Sequence, residues 1–389
     1  MTARPGPVTV IVPLPPTYRG GTEEYAYQLI RGYATHREVH VLATNVRYAP
    51  SMGAIDIGAA HLELLEAREV MQRPLLLGRR PRSRLKEEIG SAAVVQLHMP
   101  FPMVEAPAVR WARRAGVPTV LTYHMDADLG GASSVPGARA VTPAYRRLSA
   151  FPALANCDVV VSNSHGYAEA SPVLSRYLSK MRVIPKGADP ERLGLGGPST
   201  RDRPPSVPAD VVGKTVVFVG RLVPYKGVTV LLEAAELLRR EGVEFTVLVA
   251  GRGPLLESLR AEAISRGLGS TVRFLGFVPD AEIGALYRFA DVVCCPSIGT
   301  LESSATTLEE AAMCGTPVAG SDLPGASESI PHDGVRGILV PPKDANALAH
   351  ALRRLLGDPR PEGPAKVRTW ADVTLDYERL FAELGAGTP

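Results

Sequence analysis

The sequence predicts two doubly wound α/β domains, each a parallel sheet with helices on both faces. Short runs rich in β-branched residues alternate with segments of helical periodicity along the whole chain, which is typical of parallel α/β architecture. These runs lack the polar alternation of a half-exposed strand, as expected for strands that helices cover on both faces. At 389 residues, the chain is long enough for two domains that each bury a core.

The predicted strands are short apolar runs. Those in the first half are Val8–Val12, Val39–Ala43, Ala93–Leu97, Thr119–Thr122, Val159–Ser162 and Arg182–Ile184. Those in the second half are Thr215–Val219, Phe245–Ala250, Val272–Leu275, Val292–Cys295 and Pro317–Ala319. Apolar residues at helical spacing in Trp370–Leu384 predict a closing helix.

A stretch rich in Gly, Pro, Ser and Arg separates the two halves. Leu193–Val212 shows no periodicity and therefore predicts a linker. We place the first domain at residues 1–190, the linker at 191–212 and the second domain at 213–367, with the helix of 368–389 packing back on the first domain. Two such domains would face each other across a cleft, with ligands at the carboxyl ends of the strands.

The composition indicates an ordinary globular protein that stays in the cytoplasm. Hydrophobic residues make up 45% and charged residues 21%, and a net charge of +3 from 43 basic and 40 acidic side chains does not indicate nucleic acid. The apolar run Val8–Val12 is too short for a signal peptide, and no stretch approaches the roughly 20 apolar residues that span a bilayer. The four cysteines lack metal-site spacing, which favours reduced core cysteines.

One segment is locally basic. The segment Arg68–Lys86, here called the basic segment, contains Arg68, Arg73, Arg79, Arg80, Arg82, Arg84 and Lys86. It could touch an anionic membrane surface or an acidic acceptor, which would make the protein peripheral at the inner membrane face. The simpler interpretation is a solvated loop and helix face.

A pair of cations follows the first strand of the second half. Arg221 and Lys226 lie five residues apart in Gly220–Gly227, here called the cation loop, between a predicted strand and a predicted helix. A strand-to-helix turn opens on the ligand edge of such a sheet. The planar donors of Arg and the mobile charge of Lys suit the diphosphate of a departing nucleotide, although two surface cations beside a turn are a common alternative.

Two carboxylates bracket the start of a later helix. Glu302 precedes it and Glu310 lies inside it, with Thr306 and Thr307 near its N-terminus. Free amides and the helix dipole favour phosphate there, and carboxylates suit sugar hydroxyls because they accept two hydrogen bonds at once. An acidic first turn that complements the dipole explains Glu309 but not Glu302.

With these motifs in this order, nearly the whole chain resembles the retaining family 4 glycosyltransferases of GT-B fold, also called glycosyl transferases group 1. The resemblance implies two Rossmann-like domains and a diphosphate site at Arg221 and Lys226. It also implies that Glu302 contacts the donor sugar and Glu310 the ribose. The other donor-binding residues that it implies are Gly220, Gly251, Gly253, Arg273, Phe274, Thr306, Thr307 and Leu308, with the backbone near Arg273 and Phe274 against the base.

The first half matches the family in two places. Gly20 and Gly21 follow the first strand, where glycines let backbone amides approach a phosphate, although a flexible turn would look the same. His124 ends a predicted strand and matches a family histidine beside the donor sugar, so we place it with Arg221, Lys226 and Glu302 among the catalytic residues. A lone histidine can equally be structural, but the carboxyl end of a strand favours a site.

The chain also departs from the family pattern and contains misleading motifs. Ser303-Ser304-Ala305 stands where the family usually has a glycine-rich stretch, so the donor sugar does not follow from the resemblance. Asp126-Ala127-Asp128 is the DxD spacing that holds a divalent metal in the other glycosyltransferase fold. We interpret it as chance, because Arg221 and Lys226 already supply the countercharge, and we expect neither a metal nor another cofactor.

The expected activity is transfer of a hexose-type unit from a UDP, GDP or other nucleoside diphosphate sugar, with retention, to a lipid, a glycan or a natural product. The expected protein is a monomer or dimer without nucleic acid. Two alternatives stay open: an enzyme of the same fold but another reaction class, either a nucleotide-sugar 2-epimerase or a phosphorylase, and a sugar-nucleotide-binding protein that has lost catalysis. A scaffold that acts at membranes through the basic segment is a further alternative.

Overall fold

A computed structural model describes residues 6–16, 21–46, 56–70, 73–76, 78–127, 140–195, 200–299, 305–328, 337–359 and 368–387. The chain forms two compact units. The first unit comprises Met1–Lys186 with Trp370–Pro389, and the second comprises Gly187–Thr369. Each unit is built on its own parallel sheet, which confirms the predicted class.

The first unit contains a seven-stranded parallel sheet in the order β3-β2-β1-β6-β7-β8-β9. Its strands, together with the antiparallel hairpin β4–β5, are β1 (Val8–Ile11), β2 (Val39–Thr44), β3 (His61–Leu65), β4 (Arg68–Val70), β5 (Arg73–Leu75), β6 (Val94–Met99), β7 (Thr119–Tyr123), β8 (Val159–Ser162) and β9 (Met181–Val183). Every residue of β1, β6, β7 and β8 is buried, because helices cover both faces of a doubly wound sheet.

The second unit contains a six-stranded parallel sheet in the order β12-β11-β10-β13-β14-β15. Its strands are β10 (Thr215–Val219), β11 (Thr246–Ala250), β12 (Val272–Gly276), β13 (Val292–Cys295), β14 (Val318–Ser321) and β15 (Gly337–Val340). The order reverses between β10 and β13, so the carboxyl ends of these two strands form the point at which ligands bind in doubly wound folds.

The helices alternate with the strands along the chain. They are α1 (Gly21–Tyr33), α2 (Arg79–Ser91), α3 (Glu105–Ala115), α4 (Val141–Tyr145), α5 (Phe151–Asn156), α6 (His165–Ala170), α7 (Val228–Arg240), α8 (Leu256–Ser265), α9 (Asp280–Phe289), α10 (Thr306–Met313), α11 (Ala345–Gly357) and α12 (Trp370–Glu383). Apolar side chains at helical spacing, such as Leu231, Ala235 and Leu238 of α7, are buried against the sheets.

The last helix, α12, belongs to the first unit although it ends the chain. It packs against α1, and the ring centroids of Tyr33 and Phe381 are 5.4 Å apart. Arg37 forms a buried ion pair with Glu378. The two residues of each contact are more than 300 positions apart in the sequence, so the first unit is completed only by the end of the chain.

The segment 191–212, predicted as a linker, is part of the second unit. Its described residues include Leu193, Val207 and Val211, which are buried in the core of that unit. Arg201 pairs with Asp291 at 3.0 Å. The prediction is wrong about this segment because its apolar residues are too widely spaced to show periodicity, although Leu193, Val207 and Val211 each fill a place in the core.

Every predicted strand is present, with ends that differ by at most two residues. The strands that were not predicted are β3, β4, β5 and β15. Of these, β3 and β15 are edge strands of their sheets. Side chains at a sheet edge are partly exposed, as in β3, so they need not be uniformly apolar and leave a weaker pattern.

All four cysteines are buried and carry free thiols, in agreement with the expected reduced core cysteines. Burial raises the pKa of Cys157 to about 12 and that of Cys314 to about 11. These thiols therefore stay protonated and unreactive near neutral pH.

Candidate functional site

The cation loop leaves the carboxyl end of β10 and lies beside two other loops. The amide of Gly220 donates to the Ala250 carbonyl at 2.9 Å, and the amide of Leu222 donates to the Arg252 carbonyl at 2.9 Å. These bonds tie the cation loop to the turn after β11. Arg221 is exposed and Lys226 is half-buried, so the loop presents both cations at the edge where the strands end.

Glycines allow these loops to approach each other at backbone distance. A Cβ atom on Gly227 would lie 1.9 Å from the Pro296 carbonyl oxygen, and Ile298 donates its amide to the Tyr225 carbonyl at 2.8 Å. The cation loop is therefore held against the segment after β13. The Gly-x-Gly of 251–253 has a packing role of the same kind, since a Cβ atom on Gly253 would lie 2.3 Å from the Leu222 carbonyl oxygen.

Gly251 provides a test of this packing. Its φ is 146°, and a Cβ atom there would lie 1.8 Å from the Gly220 carbonyl oxygen. We expect Gly251→Ala to lower the free energy of unfolding by about 1–3 kcal/mol, because the cation loop must shift. Urea unfolding measures this loss. Gly357→Ala is the control, since a Cβ atom there meets nothing within 4 Å; equal stability of the two variants would contradict the assignment.

Helix α10 brings its N-terminus to the same sheet edge. The hydroxyl of Thr307 donates to the Val219 carbonyl, the last residue of β10, at 3.3 Å. The first turn of α10 thus lies beside the start of the cation loop. The amides of Leu308 and Glu309 donate to the Ala305 carbonyl at 2.8 and 3.1 Å, so the amides available at this N-terminus are those of Thr306 and Thr307. Leu308, also expected to bind the donor, has its side chain in the core and its amide bonded to the Ala305 carbonyl, so its role at the donor stays a prediction.

Glu310 lies on the second turn of α10 and is held by two side chains. Arg192 forms an ion pair with one carboxylate oxygen, and the Tyr287 hydroxyl donates to the other at 3.0 Å. Burial, followed by the charge of Glu310, raises the pKa of Tyr287 well above its usual value, so the hydroxyl stays protonated. A carboxylate has about four acceptor positions, which leaves capacity for a ligand hydroxyl beside these anchors.

Arg273 and Phe274 of β12 use their side chains in the fold. The Arg273 guanidinium donates to the carbonyls of Gly269 at 3.1 Å and Ser270 at 2.8 Å. Phe274 packs on the core, with the guanidinium of Arg260 5.9 Å from its ring centroid. Contact of the β12 backbone with a nucleotide base therefore stays a prediction, and these side chains have a structural explanation.

Two predicted site residues, Gly20 and Glu302, lie outside the described residues, as do Ser303 and Ser304. Gly21, next to Gly20, is the first residue of α1 and is exposed. A Cβ atom on Gly21 would meet nothing within 4 Å. A side chain at Gly21 would therefore meet no described residue, and a phosphate-binding role for Gly20 and Gly21 stays a prediction.

His124 follows β7 and is buried against a second histidine. Its Nε2 atom lies 2.8 Å from Nδ1 of His98, on the neighbouring strand β6. The ring of Tyr25 meets the ring of His124 edge-on, with centroids 5.0 Å apart. Burial lowers the pKa of His98 to about 3 and holds that of His124 well below its usual value. Both rings are neutral near pH 7.

Asp126 of the DxD spacing has a structural role. Its carboxylate accepts hydrogen bonds from Tyr123 at 2.9 Å and Ser171 at 2.9 Å, and from Tyr167 at 3.3 Å. Its partner in the motif, Asp128, lies outside the described residues. The described ranges contain no group of three or more His, Cys, Asp or Glu side chains placed to hold a metal ion.

The basic segment forms the β4–β5 hairpin and most of α2. Arg79, Arg80, Arg82 and Lys86 are exposed on α2, whereas Leu85 is buried. Arg84 pairs with Glu63 at 2.9 Å and Glu87 at 3.0 Å. Among the described helices, none is long and apolar enough to cross a membrane.

Sequence reasoning missed Arg192, Tyr287 and His98. Arg192 lies 118 residues before Glu310, and Tyr287 stands in a helix whose pattern only indicates burial. His98 lies inside an apolar run that is explained fully as a strand. A polar residue in such a run is the one available signal, because buried polar side chains need partners.

Comparison with known proteins agrees with this architecture. Residues 19–192 match the family model Glycosyltransferase Family 4, and residues 201–369 match the model Glycosyl transferases group 1. The chain is 32% identical over 278 residues to D-rhamnosyltransferase WbpZ of Pseudomonas aeruginosa, covering 71% of this chain and 68% of that relative. It is 28% identical over 345 residues to O-antigen chain mannosyltransferase C of Escherichia coli, covering 88% and 85%.

The fold also matches solved glycosyltransferase structures. Anabaena Alr3699/HepE in complex with UDP is 17% identical, with a TM-score of 0.65 over 97% of this chain and 96% of that chain. A likeness at this identity shows the fold, which is GT-B. The two family matches and the 32% identity to D-rhamnosyltransferase WbpZ show that the chain belongs to glycosyltransferase family 4 and is a glycosyltransferase.

Proposed function

We propose that the protein transfers a hexose-type sugar from a nucleoside diphosphate sugar to an acceptor hydroxyl, with retention at the anomeric carbon. The observation that carries the proposal is in the second unit. There the Thr307–Val219 hydrogen bond places the first turn of α10 beside the cation loop with Arg221 and Lys226. Two cations and a helix N-terminus at one sheet edge are an arrangement suited to a diphosphate.

The chemistry follows from where charge develops. As the bond from the anomeric carbon to the diphosphate oxygen breaks, negative charge grows on that oxygen. Arg221, Lys226 and the first amides of α10 stabilise it by electrostatic preorganisation. The acceptor oxygen forms the new bond from the same face of the sugar, and its proton goes to the departing phosphate oxygen. Such a route requires no carboxylate nucleophile, unlike the double displacement of retaining hydrolases.

The remaining residues take roles that the resemblance suggests. Glu310, anchored by Arg192 and Tyr287, accepts hydrogen bonds from the ribose hydroxyls. Glu302 contacts the donor sugar, and His124 meets a hydroxyl of the transferred sugar. Gly20 and Gly21 offer backbone amides to the substrate. The two relatives are named for rhamnosyl and mannosyl transfer, which supports a hexose-type sugar, and the UDP complex of HepE supports a nucleotide donor.

We propose that the reaction needs no metal ion, since Arg221 and Lys226 supply the countercharge. We further propose a cytoplasmic protein whose acceptor is a lipid, a glycan or a natural product. The exposed cations of α2 support a weak contact with an anionic membrane surface. Flotation with liposomes that contain or lack anionic lipid tests this contact, and equal flotation with both would remove it.

The donor can be found by thermal shift against UDP, GDP and ADP sugars. A donor at 100 times its Kd stabilises the fold by about 2.7 kcal/mol. The active donor is then assayed with an acceptor panel in EDTA, and the product's anomeric configuration is read by proton NMR. Acceptor-dependent transfer with retention is expected. Inversion contradicts the proposed mechanism, acceptor-independent isomerisation identifies an epimerase, and donor binding without nucleotide release identifies a binding protein.

A further inference from the structure

His98 and His124 meet edge to edge and form what we call the histidine pair. Their ring planes lie within 15° of each other and their centroids are 5.1 Å apart. The facing nitrogens, Nδ1 of His98 and Nε2 of His124, are 2.8 Å apart. A centroid separation that exceeds the nitrogen separation by this much means that the rings share one in-plane hydrogen bond and do not overlap face to face.

The number of protons in this pair is limited. Both rings are buried and neutral, so each carries one nitrogen-bound hydrogen. One of these two hydrogens lies between the facing nitrogens. The other must therefore lie on one of the two outward nitrogens, either Nδ1 of His124 or Nε2 of His98. Among the described residues neither outward nitrogen has a hydrogen-bond partner.

A network of hydroxyls fixes the position of the pair. The ring of Tyr25 lies edge-on to both histidines, and its hydroxyl is 3.1 Å from that of Tyr377 on α12. Tyr377 is 3.0 Å from the Thr122 hydroxyl, which accepts a bond from the Gln96 amide at 3.0 Å. The histidine rings themselves contact the Tyr25 ring and each other, so which nitrogen carries each proton determines what His124 offers to a ligand.

The two histidines that carry the outward nitrogens differ in where they lie along the sheet. His124 follows the last residue of β7, at the carboxyl edge where parallel sheets bind ligands, whereas His98 is still inside β6; both side chains are buried. A buried donor without a partner is rarer than a buried acceptor without one. Both outward nitrogens are buried among the described residues, and His124 is the residue at the ligand-binding edge of the sheet, so the proton is better placed on its Nδ1.

We propose that His98 is a positioning residue that donates through Nδ1 to Nε2 of His124 and so keeps the second proton on Nδ1 of His124. His124 then presents a neutral N–H donor. A sugar hydroxyl oxygen is the acceptor that this donor suits. The identity of this acceptor rests on the proposed function, but the proton positions do not.

The proton positions can be measured without turnover. Long-range proton–nitrogen NMR of ¹⁵N-histidine-labelled full-length protein at pH 7 distinguishes the two neutral tautomers of each ring, and His124→Ala assigns the His124 signals by their loss. We expect both histidines of the pair as the Nδ1–H tautomer. A His124 spectrum of the Nε2–H form, or of an averaged mixture, would overturn the proposal whether or not a donor is known.

Two substitutions of His98 separate positioning from packing. His98→Leu removes the donor to His124, so we expect the His124 spectrum to shift toward the Nε2–H form and kcat/KM to fall about tenfold. His98→Gln retains an amide N–H and should restore the Nδ1–H spectrum and most of the rate. In a His124→Ala background, His98→Leu should cost nothing further.

The outcomes are distinguishable from failure of the proposed function. An unchanged His124 tautomer in His98→Leu, or an additive loss in the double variant, contradicts positioning by His98. Failure to find any sugar donor contradicts the proposed function while the NMR result still decides the proton positions. If His98→Leu does not fold, the wild-type spectrum alone carries the decision.

Discussion

Arg221→Ala is expected to lower kcat/KM for sugar transfer by about 10²–10³-fold without loss of fold. The side chain is exposed at the edge of the second sheet, so its removal leaves no cavity. Its charge acts where the diphosphate leaves, and removing one preorganised donor at such a position costs about this much. Initial rates at varied donor concentration measure the effect, and urea unfolding checks the fold.

Matched variants show whether the effect depends on position. Arg239→Ala removes an exposed arginine from α7 of the same unit and should leave the rate within about twofold, since an exposed charge away from the site contributes little. Arg221→Lys should recover only part of the rate, because an ammonium lacks the planar donors of a guanidinium. If Arg221→Ala and Arg239→Ala transfer equally well, the diphosphate site lies elsewhere.

Acid should destabilise the first unit through the histidine pair. Burial lowers the pKa of His98 from 6.5 to about 3 and that of His124 well below 6.5. A histidine with a depressed folded pKa contributes stability that is present above pH 6.5 and lost as the pH falls toward the folded value. For His98 this should cost about 2 kcal/mol between pH 6.5 and 5, and His124 should add a loss of the same sign.

Glu105 opposes this loss and must be separated from it. Burial raises its pKa from 4.5 to about 7, although it accepts hydrogen bonds from the Phe101 amide at 2.7 Å and the Tyr145 hydroxyl at 2.6 Å. A carboxyl group whose pKa is raised in the folded protein adds to the stability of the fold as the pH falls from about 7 toward 4.5. Glu105 therefore offsets about as much free energy of unfolding as one histidine of the pair loses over this range.

The difference between two proteins cancels the Glu105 contribution. Urea unfolding from pH 7 to 5 is compared between the wild type and a double variant, His98→Gln with His124→Gln. The wild type should lose about 2 kcal/mol or more beyond the loss of the double variant over this range, and Glu105→Gln should steepen the wild-type loss. Parallel pH profiles of wild type and double variant would show that the histidine pair does not titrate on unfolding.

The sequence was sufficient for the central strands of both sheets. β1, β8, β10 and β13 consist mostly of apolar residues, because helices cover both of their faces, and their ends were predicted to within one residue. The edge strand β3 was missed because its exposed side chains need not be apolar. The segment 191–212 was misassigned as a linker for a related reason, since isolated buried residues such as Val207 make no pattern.

The candidate site divides in the same way. Residues next to a strand end, such as Arg221 and His124, could be found because a local pattern places them at the ligand edge of a sheet. Arg192 and Tyr287 could not, because they reach Glu310 from 118 and 23 residues away. A sequence pattern within one helix or strand cannot indicate a contact between elements that come together only on folding.

By itself, then, the sequence determined the parallel α/β class and the order of the motifs, together with which charged residues stand at strand ends. These properties depend on neighbours within one helix or strand, where periodicity of 2 or 3.6 residues is sufficient. The tertiary structure alone decided that Glu310 is held by Arg192 and Tyr287, and that α12 completes the first unit. It also decided that His124 shares a hydrogen bond with His98. The physical reason is that burial and pairing of polar groups are set by residues far apart in the chain, which meet only in the packed core.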